Sequence, residues 1–235
     1  RKDEFLATLA HELRKPHAPI SNSLQILRLS DDLSPGVEQV REIMERQVNN
    51  MVRLVDDLME VSRITSGKVE LRKEVVTLGA VVERVVEATR PLVADRRHEV
   101  TLDLPPEPVR LEADPTRLEQ ILANLINNAA KYTDPGGHVR LTARREGGEL
   151  VLRVRDTGVG ISAEMLPRVF DLFTQVDPTL DRSQGGLGVG LTLVRSLVEM
   201  HGGTVRASSP GPGPGSGFVI PVSYTPLTLP TISSV

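Results

Sequence analysis

The first apolar residues of the chain form a single stripe. On a helical projection, Phe5, Leu6, Leu9, Leu13, Ile20, Leu24 and Leu27 share an arc of roughly 100°, the width of a helix face that packs on a core. His11 lies at the middle of the opposite, polar face. Pro16 and Pro19 interrupt the pattern. Each lacks a backbone donor and crowds the preceding turn, which predicts a kink just after His11. Residues 30–36 (SDDLSPG) read as a turn, and a second helix is expected over about 37–65. Its Met44, Val48, Met51, Val55 and Leu58 alternate in steps of four and three, a coiled-coil spacing. Two such helices make a hairpin too small to bury both stripes, so a four-helix bundle built from two copies is expected.

After a joint at 67–76 the pattern changes to mixed α and β. Residues 78–97 read as a helix, and 98–105 and 109–114 as short strands. Asp114-Pro115 has the form of an N-cap followed by proline at the first helical position. It opens a helix to about Tyr132 with Leu118, Ile121, Leu122, Leu125 and Ile126 on one side. Residues 138–156 form a predicted β-hairpin turning at Gly147-Gly148. Residues 190–203 read as a helix with a glycine C-cap, and 204–209 and 215–222 as closing strands. The expected organisation is an all-α antiparallel helical hairpin (1–66), the joint (67–76) and an α/β (α+β) two-layer sandwich (77–223). The tail, 224–235, has no assigned role.

Composition narrows the chemistry. There is no cysteine, which removes disulfides, thiolate metal sites and cysteine nucleophiles and suits a reducing cytoplasm. The net charge is -3, without a basic run, so a nucleic-acid partner is not expected. No apolar stretch approaches the roughly 18 residues that span a bilayer, so this segment is expected to lie in the cytoplasm without membrane contact. The chain opens without Met inside a predicted helix, which reads as a fragment whose parent could carry a membrane anchor.

Two glycine-rich stretches stand out. DTGVGI places Asp156, Gly158 and Gly160 after a strand, and GGLGVGL places Gly185, Gly186, Gly188 and Gly190 before a helix. Glycines ahead of a helix N-terminus let backbone amides approach phosphate. No Lys-Ser/Thr follows the second stretch, so it is not a Walker loop, and each stretch alone reads equally well as a simple turn. NLINNAAKYT adds Asn124 and Asn128, four apart on one helix face, and Lys131. Amide oxygens are neutral hard donors suited to Mg²⁺ that already carries triphosphate, and a lysine offsets phosphate charge.

Taken in order, His-Glu-Leu-Arg-x-Pro, Asn-x-x-x-Asn-Ala-x-Lys-Tyr, Asp-x-Gly-x-Gly, Phe-x-x-Phe and Gly-x-Gly-x-Gly resemble the sensor histidine kinases of two-component signalling, over roughly residues 1–222. DDLMEVSRITSGKVEL and EMHGGTVRASS extend the resemblance. It implies a dimerisation and histidine-phosphotransfer hairpin joined to an ATP-binding domain of the Bergerat type. His11 would be the phosphorylated residue, Glu12 the acid that orients its ring, and Arg14 a phosphate contact. Asn124 and Asn128 would hold Mg²⁺, Lys131 a phosphate, and Tyr132 would lie beside the base. Asp156 would accept from the adenine amino group. Gly158, Gly160, Gly186, Gly188 and Gly190 would mark places where side chains block nucleotide or stiffen a lid. Phe170 and Phe173 would anchor that lid, residues 174–187, which includes Arg182 and Gln184. The implied partners are a second copy of the chain and a response-regulator receiver domain.

The sequence departs from the family at Lys15, where Thr or Asn often positions water for dephosphorylating the partner; weak or absent phosphatase activity is expected. His17 replaces an apolar residue. These two are the only support for the alternative of a catalytically silent dimeric scaffold that binds nucleotide without transfer. A further alternative, another Bergerat-fold ATPase, leaves His11-Glu12-Leu13-Arg14 unexplained. His98, His138 and His201 lack metal-ligand spacing and read as structural or surface residues.

Overall fold

The structure is a computed structural model that describes residues 20, 22–27, 35–174, 188–222 and 224–225. His11, Glu12, Arg14, Lys15, His17 and the expected kink lie outside the described residues, as do Arg182, Gln184 and Gly186. The chain divides into two compact units, Arg1–Val69 with Leu172–Leu193, and Glu70–Asp171 with Val194–Val235.

In the first unit, helix α1 spans Pro35–Thr65. Its spacing of apolar residues buries Val48, Val55, Leu58 and Val61, while Val37, Val40, Met44 and Met51 stay exposed. Leu172 and Met59 pack on Val55 and Leu58. Arg41, buried on the same helix, makes ion pairs with Glu38 and Glu45. The helix closes with the hydroxyl of Thr65 donating to the carbonyl of Val61 at 2.9 Å.

The second unit contains β1 (Glu74–Thr77), α2 (Leu78–Asp95), β2 (Glu99–Asp103), β3 (Arg110–Ala113), α3 (Pro115–Tyr132), β4 (His138–Glu146) and β5 (Glu149–Asp156). A 3₁₀ turn at Leu166–Arg168 follows, then α4 (Gly190–Met200), whose first four residues are counted with the first unit, β6 (Arg206–Ser208), β7 (Gly217–Val222) and β8 (Tyr224–Thr225). A mixed five-stranded sheet runs β2-β4-β5-β7-β6, with β2 parallel to β4 and the other neighbours antiparallel. The β4–β5 turn uses Gly147 and Gly148, both at positive φ, as a two-residue turn of this twist requires.

Alternation along the strands gives the sheet two unlike faces. Val139, Leu141, Ala143, Leu152, Val154, Phe218 and Ile220 are buried. So are Val81, Val82 and Val85 of α2 and Leu118, Ile121, Leu122, Leu125 and Ile126 of α3, which lies alongside α2. These helices and the inner sheet face form the core of the sandwich.

Two features add to the sequence reading. The last three residues of the expected joint, 74–76, lie in strand β1, which pairs antiparallel with β3. The first two residues of the tail form β8: Tyr224 pairs with Leu111 and Thr225 with Arg110, which completes a small sheet β1-β3-β8. Neither two- to four-residue strand carries enough alternation to be seen in isolation; the partner strand defines it.

Candidate functional site

The geometry starts at the N-cap of α3. Asp114 accepts from the backbone N–H of Arg117 at 3.2 Å and, with its other oxygen, from that of Arg72 at 2.9 Å. Burial pushes its carboxyl up, but these bonds, a third from Thr116 and the charge of Arg117 prevail and hold it below the ordinary value. Its own N–H donates to Nε2 of His201 at 3.1 Å, while Nδ1 of that ring lies 2.8 Å from the carbonyl of Leu197. The N-terminus of α3 is thereby tied to the chain entering the unit and to the C-terminal end of α4.

With its apolar side committed to the core, α3 turns Asn124 and Asn128 to the edge of the buried face, where both are half-buried. The amide nitrogen of Asn124 donates to the carbonyl of Gln120 at 3.1 Å, so the amide oxygen is left as an acceptor. Lys131 donates to the phenol oxygen of Tyr132 at 3.1 Å and lies 4.7 Å from the ring centroid. Burial pushes the phenol up to about 12, so Tyr132 is neutral at physiological pH. His98, buried on the α2–β2 connection, holds Ala130's carbonyl at 2.9 Å and so caps the last turn of α3.

The strand β5 ends at Asp156, which is buried. One carboxylate oxygen accepts from the N–H of Gly158 at 2.9 Å and of Ser216 at 3.1 Å. The other accepts from the hydroxyl of Ser216 at 2.6 Å and keeps a lone pair open. The loop that follows touches the end of α3: the N–H of Val159 donates to the carbonyl of Tyr132 at 3.0 Å.

The glycines of this loop have a reason that the sequence reading missed. A Cβ at Gly158 would lie 2.2 Å from the carbonyl oxygen of Tyr132, and one at Gly160 2.1 Å from that of Gly211. Protein backbone by itself already forbids side chains at both. Gly188, at φ +68, would place a Cβ 2.4 Å from the carbonyl oxygen of Thr174, and its own carbonyl accepts from the N–H of Phe173 at 3.2 Å. Gly190 opens α4. Phe170 is buried edge-on against Phe218, with centroids 6.2 Å apart, whereas Phe173 is exposed with φ 66.

The structure therefore brings Lys131, Tyr132, Asp156, Gly158 and Gly160 into one neighbourhood and puts Asn124 and Asn128 on the helix that leads into it. Ser216 is the residue that sequence reasoning missed. It lies inside a Pro/Gly loop sixty positions from Asp156, and nothing local marks it as that carboxylate's partner. Among the described residues no group of three or more His, Cys, Asp and Glu could hold a metal. Among those residues no helix is long and apolar enough to cross a membrane.

Residues 1–67 match the His Kinase A (phospho-acceptor) domain, and residues 113–226 the histidine kinase-, DNA gyrase B- and HSP90-like ATPase domain. The chain is 34% identical to the sensor histidine kinase RcsC of Salmonella typhimurium, over 100% of this chain and 24% of that protein. It is 32% identical to hybrid signal transduction histidine kinase D of Dictyostelium discoideum, over 96% of this chain and 15% of that one. It spans about a quarter or less of the length of these curated relatives. Among solved structures it resembles full-length ShkA in complex with AMPPNP, with a TM-score of 0.77 and 28% identity over 94% of this chain and 46% of that one. With both domain matches in order, the chain belongs to the sensor histidine kinases of two-component signalling and carries their phospho-acceptor and ATPase domains.

Proposed function

We propose that this chain is an ATP-dependent protein-histidine kinase that phosphorylates its own His11 and passes the phosphoryl group to an aspartate of a response-regulator receiver domain. An imidazole nitrogen of His11 attacks the γ-phosphorus; the bond to the bridging oxygen of ADP breaks as the N–P bond forms. Glu12 accepts from the other ring nitrogen and keeps the attacking one unprotonated. Arg14 steadies phosphate charge, and Lys131 contacts phosphate. Asn124 and Asn128 hold Mg²⁺ through their amide oxygens; the ion supplies charge compensation on the phosphates when bound. Alignment and charge compensation account for most of the acceleration expected of such a transfer. A homodimer through the hairpin and a cytoplasmic location belong to the same reading.

The observation that carries it is Asp156. Two backbone amides and a serine hydroxyl donate to its carboxylate, which presents one remaining acceptor position. The exocyclic amine of adenine is a donor that fits this position; guanine would place a carbonyl oxygen there. The test is incubation with γ-labelled ATP. Wild-type protein retains acid-labile label, His11→Gln retains none, and Asp156→Asn binds ATP about tenfold to a hundredfold more weakly. Equal labelling of His11→Gln would overturn the assignment of the phospho-acceptor. Unchanged affinity in Asp156→Asn would overturn that of the base contact. With Lys15 in place of Thr or Asn, mixing with phosphorylated regulator and ADP is expected to release phosphate slowly or not at all.

A further inference from the structure

The outer face of the five-stranded sheet carries five arginines, and the strand register sorts them into rows. One cross-strand row reads Ser208, Gly217, Arg155, Arg140 and Thr101; the next reads Arg206, Val219, Arg153, Thr142 and Asp103. Arg144 follows on β4. Two of the five are neutralised by carboxylates of the same face. Arg153 holds Glu146 through two bonds, at 2.9 and 2.7 Å, and Arg144 pairs with Asp103. Arg140, Arg155 and Arg206 are exposed, and among the described residues none has a carboxylate partner. Arg140 and Arg155 stand directly opposite each other, an arrangement that destabilises a bare sheet.

The same end of the face is closely packed at its floor. A Cβ built on Gly217 would lie 3.1 Å from Cγ of Arg155, 3.6 Å from its Nε and 3.4 Å from the hydroxyl of Ser208, so the arginine stem and the serine already cover the glycine. That hydroxyl donates to the carbonyl of Gly217 at 3.3 Å. Arg140 stands opposite Arg155, and Arg206 lies one row away on β6. Above this floor the face presents three exposed guanidinium groups.

We propose that this end of the outer sheet face is a docking site for carboxylate side chains of an acidic protein partner, with Arg155, Arg140 and Arg206 each taking a carboxylate. Arginine forks match carboxylates bidentately, as Arg153 and Glu146 do on the same face. Three arginines fall short of the four to eight cations that hold a protein on an anionic membrane. The site is independent of the nucleotide reading and needs neither ATP nor phosphorylation.

The test is an NMR titration of the isotope-labelled chain with an Asp/Glu-rich octapeptide at low salt. Saturable shifts at Arg140, Arg155, Ser208 and Arg206 that weaken with salt are expected. Arg155→Gln and Arg140→Gln should each weaken binding by about fivefold, and the two together by more. Absence of saturable shifts, or peptide binding that survives both arginine substitutions, overturns the proposal. So does tighter binding, on this face, to a DNA duplex or to vesicles containing phosphatidylserine.

Discussion

Helices α1 and α3 are both amphipathic, and they end in opposite situations. In α3 the apolar stripe is fully covered by its own unit: Leu122 is 0% and Leu125 1% exposed. In α1, Val48, Val55 and Leu58 are buried, but Val40 remains 51% and Met44 49% exposed. A hydrophobic stripe in a sequence says that a face needs covering; it does not say by what. The period supplies that second piece. The strict four-three spacing of α1 is that of a helix whose cover is other helices, whereas α3 has the wider face of a helix lying on a sheet.

The largest test of this contrast is Leu125→Ala. The side chain has nowhere to relax, so a loss of about 3–4 kcal/mol in urea unfolding of the ATPase domain is expected. Met51→Asp addresses the other helix. On an exposed position it should shift unfolding of the ATPase domain by no more than about 0.5 kcal/mol. If a second copy covers the stripe, the same change buries a charge, and the dimer dissociation constant read by sedimentation should rise about a hundredfold. A dimer unaffected by Met51→Asp would mean that this stripe is not the interface.

The carboxylates of the two helices sharpen the comparison, because their pH dependence has opposite signs. Burial pushes Asp57 of α1 up to about 6, against Arg53 and with help from Glu60 and Asp56. Between its ordinary value and about 6 the folded state holds a proton that the unfolded chain has released. Stability therefore falls as pH rises through that window, by at most about 3 kcal/mol. Asp114 of α3 is held low, so its contribution is present above the ordinary carboxylate value and is lost as pH falls through its folded value. Asp57→Asn should flatten the fall between pH 4 and 6 in thermal unfolding and leave the acid limb in place. Asp114→Ala should cost about 1–2 kcal/mol at pH 7 and reduce the acid limb.

Much of this was legible before any coordinates. The cap at Asp114-Pro115, the apolar side of α3 and the hairpin at Gly147-Gly148 follow from local rules, and the structure has each of them where those rules place it. What was not legible is long-range. Ser216 meets Asp156 across sixty residues, and β1 and β8 exist only as neighbours of β3. The glycines of the Asp156 loop were visible as letters, but the carbonyls of Tyr132 and Gly211 that exclude side chains there were not. His98 read as a structural residue, but its role as a cap on the last turn of α3 depends on a carbonyl thirty-two positions away.

The smallest effect concerns the strained residue that delivers that cap. Arg97 follows α2 with φ 55, a left-handed conformation that a side chain makes costly, and its N–H donates to the carbonyl of Ala94 at 3.0 Å. The next residue, His98, closes the turn by donating to the carbonyl of Val93 at 2.9 Å and points its ring at α3. Arg97→Gly removes about 1–2 kcal/mol of backbone strain. It also frees the unfolded chain, which offsets about 0.4–1 kcal/mol of that gain. A net stabilisation of about 0.5–1 kcal/mol in urea unfolding is expected, with nucleotide affinity unchanged, because the imidazole keeps its place. Destabilisation instead would show that the Arg97 side chain itself makes a contact worth more than the strain it imposes. The α2–β2 connection would then be held by that side chain and not by the turn.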